Sequence, residues 1–569
     1  MSVPTYDFCG YLMTEKDGLK QYVEERNGKK YAYESTSRMV DGRKRTLTKY
    51  LGVVDPVTGN VLEKRPRKTK AEREAVKQEM IIPEGICSRE YGAAYFLDGV
   101  QGRIGIRDDM LASFGPFGNI VMGLVMAQAL APGAFCDIEN TFERTFVGRI
   151  TGAAGSMASP RVSELTRAIG EATENTEMFF ARRIARTEGI LAWDTTTHGT
   201  YSLMGGLAEW APSKDGEKIP QVKMALATDR RGIPVFFCLI PGSLSDAATV
   251  EMLREKAEGY GDGKDLLYVM DNGFENAAEV RELVLDSVSF VMPLDTAPKA
   301  VKTLMTGFRS SADVRDRVFD GHAYRVLYVT LGIVPDGKRE MADGSQAYAY
   351  VLPDDPSYGD AEKVKAFVCY DSKKQSDEEQ NLKLLLHDIE QKLENKRSKD
   401  AERTLRRVAG KAAKYFTASL VNGKVHLERK GNAVSFGENR EGLFVMLASE
   451  EVTWDQMMSA YDARRLTEQA FDSLKNEMDC RRIRTGDRYS AYGRFFVSTA
   501  ALAIRCEIAA VIRENKLGRT TDGILRSMGC ISAIGMNGTW RLSPITKNCR
   551  EIFAEFGLRI PGHVVFTKI

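Results

Sequence analysis

The chain has 569 residues, 43% of them hydrophobic and 28% charged, so several domains with large cores fit within it and no biased tract forces disorder. A net charge of +2 excludes a general polycation, and a nucleic-acid partner would need local basic patches. The nine cysteines are scattered, without CxxC pairs or zinc-spaced histidines, which argues against a disulfide framework or structural zinc and fits reduced thiols in a cytoplasm. No stretch approaches the length of a membrane span and "MSVPTYDFCG" lacks a leader pattern, so a cytoplasmic protein with no membrane partner is expected.

Residues 1–85 alternate "KYAYEST", "RTLTKYLGVV" and "GNVLEK" around glycine turns, predicting a small β-rich basic N-terminal module, with a charged helix from Lys68 to Met80. Basic patches stand at "GRKRTLTK" from Gly42, "KRPRKTK" from Lys64, "NKRSKDAERTLRR" from Asn395 and "RRIRTGDR" from Arg481. Each alone fits a solvated surface, and together they keep DNA among the partners. Residues 86–187 read as helical, with "GNIVMGLVMAQAL" and "SELTRAIGEATENTEMFFARRIA" the clearest segments. Gly99, Gly102 and Gly105 match neither nucleotide-loop spacing and read as loop punctuation.

From 188 to 296 the pattern changes. "GILAWD" is an apolar strand ending on Asp194. "PQVKMALATD" and "IPVFFCLIPG" are strands joined by an Asp-Arg-Arg-Gly turn. Then "DAATVEMLREKAEGYG" predicts a helix, "LLYVMD" a strand ending on Asp271, "ENAAEVRELVLDS" a helix and "VSFVMPL" a strand. That order implies a mixed sheet with helices on its faces. Residues 297–439 form a β-containing insertion with a long charged helix. Residues 440–515 return to the core through "GLFVMLAS" and a helix carrying "YDARRLTEQAFDSLKNEMD", and 516–569 is a C-terminal candidate for dimerisation.

On that helix Tyr461, Arg464, Glu468 and Lys475 fall within an arc of roughly 60°, at about 100° per residue, beside an apolar arc of Ala460, Ala470, Phe471, Leu474 and Met478. Alone, the stripe fits a solvated helix face with i, i+4 support. Two strand-terminal aspartates change its reading, because ligands gather beyond the carboxyl ends of parallel strands. Three carboxylates brought together repel, by roughly 4 kcal/mol per pair at 4 Å and an effective dielectric of 20, so cations are expected between Asp194, Asp271 and Glu468. Oxygen ligands favour Mg2+ or Mn2+, and a pair of such ions clamps both oxygens of a phosphoryl displacement. Arg464 and Lys475 would then neutralise flanking phosphates, and Tyr461 would donate to phosphate or stack on a base. His198 reads as a polar neighbour of the site, Asp246 as a helix N-cap and Trp454 as core packing.

These residues carry a resemblance. Tyr461, Arg464, Glu468 and Lys475 match the Y-x2-R-x3-E-x6-K signature of a group of DDE transposases of bacterial insertion sequences. "WDTTT" at Asp194 is similar to that family's first acidic block and "MDNGF" at Asp271 to its second, while "RRGIPVFFCLIPGSLSDAATV" is similar to the stretch between them. The resemblance covers roughly 188–510. It implies an α/β fold with a ribonuclease-H-like catalytic core (188–296 and 440–515) and a β-rich insertion, preceded by the small β module and the helical region. It also implies Asp194, Asp271 and Glu468 as catalytic metal ligands, and Tyr461, Arg464 and Lys475 as DNA contacts. The implied reaction is Mg2+-dependent cut-and-paste transposition, with Mn2+ as a substitute, by a homodimer acting at the nucleoid of a bacterial cytoplasm. Its partners would be double-stranded DNA, both the terminal inverted repeats, read by residues before Glu188, and the target. The insertion is expected to protrude from the sheet and approach DNA near the cleavage site; new strands extending the central sheet would make the ribonuclease-H-like assignment wrong. One departure is "SAYGRFFVSTAALAI", where relatives often have a histidine and this chain has Gly493 and Arg494. A nuclease without strand transfer, and a non-enzymatic DNA-binding descendant, are the rival readings.

Overall fold

Tyrosine, threonine and valine alternate with charged residues from Leu19 to Val53, and the chain there folds as an antiparallel sheet. Its strands, in spatial and sequence order, are Thr14–Lys16, Leu19–Arg26, Lys29–Val40 and Arg43–Val53. Asp41 and Gly42, both at positive φ (52° and 70°), turn the last hairpin. Tyr33 packs against Tyr22 and Tyr50, with ring centroids 5.6 and 5.5 Å apart. The computed structural model describes residues 14–16, 19–26, 28–55, 59, 61, 87–202, 204–260, 266–340, 346–536, 539–562 and 564–566, in two compact units, Met1–Ile86 and Cys87–Ile569. The helix expected from Lys68 to Met80 lies outside the described residues.

The second unit is mixed α/β with a large mixed sheet. Its N-terminal part is helical. Gly99 and Gly102, expected in loops, lie inside the helix Gly92–Arg103, and only Gly105 takes a left-handed turn (φ 69°). The sheet begins with β1 (Ile190–Thr200), β2 (Gln221–Asp229), β3 (Pro234–Pro241), β4 (Leu267–Val269) and β5 (Phe290–Pro293). Helices α1 (Val250–Tyr260) and α2 (Ala277–Leu285) make the β3–β4 and β4–β5 connections. In space the order is β5-β4-β1-β2-β3, with β1–β2 and β2–β3 antiparallel and β1–β4 and β4–β5 parallel.

The insertion does not simply protrude. β6 (Arg315–Phe319), β7 (His322–Glu340), β8 (Gln346–Val351) and β9 (Glu362–Tyr370) join β10 (Leu443–Ala448), and β10 pairs antiparallel with β5. They extend the central sheet to 11 strands, counting the short parallel strand Arg482–Ile483 beside the end of β1. The expectation of a separate protruding β module is corrected: β9 finds its partner in β10, a pairing across more than seventy residues that no local periodicity encodes. The segment from Ser372 to Arg429 has its own small core, built on Leu386, Ile389, Leu393, Leu405, Phe416 and Val425.

Two long helices bring the C-terminal part onto this sheet. Helix α3 (Trp454–Asn476) starts at a capping box of Thr453 and Gln456 and buries Met457, Ala460, Ala463, Ala470 and Leu474. Helix α4 (Arg488–Glu514) starts at Asp487, whose carboxylate accepts from the Ser490 amide at 2.9 Å. It crosses the helix Ser159–Glu171 at Gly493, where a Cβ would stand 1.7 Å from the Thr166 carbonyl oxygen, so backbone contact explains this glycine. Contrary to the sequence expectation, Ile106–Leu130 and Arg488–Glu514 are long and apolar enough to cross a membrane; their most apolar windows are 61% and 83% buried within the protein, as for core helices of a globular fold. Every described cysteine is a free thiol.

Candidate active site

β1 runs past Asp194 to Thr200, although the sequence suggested that it ends there. Parallel pairing with β4 stops at Ala192 and Val269, so Asp194 lies just beyond its parallel neighbour while still paired to Leu226 of β2. Asp271 follows β4 by two residues, and its carboxylate accepts from the Asn272 amide at 2.6 Å, opening a short turn. Glu468 comes from α3. That helix is fixed to the sheet by the Thr467 hydroxyl, which hydrogen-bonds the Thr228 hydroxyl at 2.7 Å, and by Leu466 lying against Gly232.

One guanidinium joins two of the acids. Nη2 of Arg464 stands 2.7 Å from Oδ1 of Asp271 and 2.7 Å from Oε1 of Glu468. Glu468 is exposed, whereas Asp271 and Arg464 are half-buried. Asp194 is the buried member, and among the described residues its one hydrogen bond comes from the Thr195 amide at 2.7 Å. Burial pushes its carboxyl up to about 6; the Lys214 ammonium 3.8 Å away opposes the rise, and the charges of Asp271 and Glu468 add to it. Among the described residues no three His, Cys, Asp or Glu side chains stand close enough to share one metal ion. The donors are the oxygen set that a hard cation takes, but Arg464 sits where Asp271 and Glu468 would have to close on it.

The rest of the stripe is already partnered. Lys475 pairs with Asp215 at 2.8 Å with only 10% of its side chain exposed, and Tyr461 stacks on Phe444 with centroids 5.3 Å apart. Trp454 is buried against Tyr324. His198 is fully buried; its Nδ1 lies 2.6 Å from the Cys480 carbonyl oxygen, and burial lowers it to about 4.

Sequence reasoning missed two cations. Lys214 lies on the loop after β1, its amide donating to Thr197 Oγ1 and its ammonium to the Thr195 carbonyl. Lys223, on β2, pairs with Asp246 at 2.8 Å, and the Thr195 hydroxyl donates to the same carboxylate oxygen at 2.7 Å. Asp246 is therefore no side-chain helix cap; the Ser245 hydroxyl accepts from the Ala248 amide in that role. The Asp246 carboxylate also packs close to Gly273 in the turn after Asp271, where a Cβ would meet Oδ2 at 2.9 Å. A lysine in a glycine-rich loop carries no local signal of this role. No protein-family model and no curated protein matches this chain.

Proposed function

We propose that the chain is a metal-dependent DNA transposase of the DDE kind, built on a ribonuclease-H-like core. The observation that carries the reading is the bridging of Asp271 and Glu468 by the Arg464 guanidinium, with Asp194, on the neighbouring parallel strand, near enough for both of those carboxylates to raise its pKa. The strand order β5-β4-β1-β2-β3, three antiparallel strands followed by two parallel ones, supports the core assignment. The extension of the sheet beyond β5 is the outcome that tells against a ribonuclease-H-like core, and the order of those five strands is what supports it.

Asp194, Asp271 and Glu468 would hold Mg2+, with Mn2+ as a substitute, which when bound polarises the phosphate and makes water a stronger nucleophile. In the first step water adds to phosphorus and the bond to the 3′-oxygen breaks at the element's end. In the second, the freed 3′-hydroxyl adds to a target phosphodiester and releases a target 3′-hydroxyl. Arg464 would leave the two carboxylates for phosphate oxygens, a transfer suited to its planar fork. The Lys214 charge would favour the ionised form of Asp194, and the Lys223–Asp246 pair would brace β1 through the Thr195 hydroxyl.

The test uses DNA ends from the sequence flanking the reading frame. Asp194→Asn, Asp271→Asn and Glu468→Gln should each abolish Mg2+-dependent cleavage while leaving end binding nearly intact. Full cleavage by any one of them removes that residue from the site. Joining of a pre-cleaved end to a target separates a transposase from the rival nuclease, which hydrolyses and does not join.

A further inference from the structure

The hairpin of Lys29–Val40 and Arg43–Val53 is longer than the sheet that supports it. Pairing with Leu19–Arg26 ends at Leu19 opposite Thr36, so among the described residues Ser37–Thr46 continues as a two-stranded ribbon without sheet neighbours. Every residue from Ser37 to Lys49 is exposed. The ladder register sets Arg38 opposite Arg45 and Val40 opposite Arg43. Alternation along each strand puts Arg38, Arg43 and Arg45 on one face, with Lys44 on the other. None of the four forms an ion pair among the described residues. Like charges directly opposite on a ladder destabilise it, so the arrangement is not explained by the stability of the module.

We propose that this ribbon enters the major groove of double-stranded DNA, with the arginine face toward the base edges. Charge complementarity names a polyanion, and shape selects between nucleic-acid duplexes. Two strands about 4.8 Å apart, with four residues per strand rising about 3.4 Å each, make a ribbon roughly 14 Å long. The major groove of B-form DNA, about 12 Å wide and 8.5 Å deep, admits such a ribbon, and arginine is the side chain best matched to the guanine edge there. The deep, narrow major groove of an A-form RNA duplex does not admit it. The choice of DNA over other polyanions rests on the function proposed above; the geometry of the ribbon does not.

The experiment is fluorescence anisotropy of the full-length Asp194→Asn chain on a mixed-sequence DNA duplex several turns long, across a salt series. Replacing Arg38, Arg43 and Arg45 together by Gln should weaken binding at least tenfold at physiological salt and flatten the slope of log affinity against log salt by about one unit for each of them that reaches a flanking phosphate. Methyl green, which occupies the major groove, should displace the unsubstituted chain and netropsin, a minor-groove ligand, should not; this arm needs no variant to fold. Undiminished affinity and slope in the Gln variant, displacement by netropsin alone, or equal ribbon-dependent binding of an RNA duplex each overturns the proposal. Cleavage assays separate the two ideas. Ribbon-dependent DNA binding by a chain that never cleaves sinks the transposase and keeps the ribbon. Acid-dependent cleavage with ribbon-independent binding does the reverse.

Discussion

Two buried aspartates of the second unit are treated in opposite ways. Asp109, on the helix Ile106–Phe114, accepts from Arg186 Nε and Nη2 at 2.8 and 2.9 Å and from Arg183 Nη1 at 3.2 Å. Asp194 has one backbone amide, an ammonium at 3.8 Å, and two further carboxylates nearby. Both are almost inaccessible to solvent, at 1% and 7% exposure. A carboxylate buried to hold helices together comes with its counter-charges in place. Asp194 is left short of them, and such a group serves the fold poorly unless something cationic arrives.

The largest effect should come from breaking the compensated member. Asp109→Ala leaves the buried Arg183 guanidinium without its partner, and loss of one half of a buried pair costs about 3–5 kcal/mol. Chemical denaturation should show that loss at neutral pH, with or without Mg2+. A variant melting within about 2 °C of wild type would mean that the two arginines contribute little to the docking of the helical region.

Removing charge from the uncompensated member should do the opposite. The folded-state value of Asp194, about 6, stands above the roughly 3.9 of an unfolded chain. Its contribution to stability is thus complete below the unfolded value and is lost as pH rises through the folded one. Above pH 6 the ionised carboxylate is a burden, and Asp194→Asn should stabilise the metal-free protein by about 1–3 kcal/mol. The gain should shrink to nothing near pH 4. A melting-temperature difference between variant and wild type that stays constant from pH 4 to 8 would falsify the view of Asp194 as undercompensated.

A cation should close the gap between the two aspartates. Mg2+ at ten times its dissociation constant stabilises a binding-competent fold by about 1.4 kcal/mol, and that increment should vanish in Asp194→Asn and Glu468→Gln. Arg464→Gln frees Asp271 and Glu468 from the guanidinium they share, so its melting temperature should respond to less Mg2+ than wild type needs in the absence of DNA. An unchanged or weaker response would mean that Arg464 does not compete for that position.

Much of this site is legible in the sequence, and what is hidden has physical reasons. Asp271 and Glu468 are readable because apolar runs and a helical period lead directly to them. The continuation of β1 is not, since "TTTHGT" looks polar; those side chains are buried through Thr195–Asp246, Thr197–Lys214 and His198–Cys480 contacts made by distant segments. Pairing partners are equally silent. The helical stripe of Tyr461, Arg464, Glu468 and Lys475 is evident from spacing, whereas its engagement by Asp271, Asp215 and Phe444 depends on loops and strands up to 260 residues away. The insertion was separable by length and composition, yet its strands take their places by long-range register with β10, which no window of sequence contains.

The smallest predicted effect concerns Lys475, whose two readings part company here. As a phosphate contact, its loss should flatten the salt dependence of DNA binding by about one unit or less. As the partner of Asp215, it anchors the loop that carries Lys214 to Asp194, and the pair is mostly sheltered, at 10% and 22% side-chain exposure. Lys475→Met and Asp215→Asn should then each destabilise slightly, and the double variant by less than their sum, with a coupling of about 0.5–1.5 kcal/mol. Because Lys214 is the cation that restrains the rise at Asp194, both single variants should also enlarge the pH-dependent gain of Asp194→Asn, a response that a phosphate contact has no means to produce. A coupling below about 0.3 kcal/mol together with a flattened salt slope would return Lys475 to the DNA. Measurable coupling with an unchanged slope would leave it as the pin of the Lys214 loop.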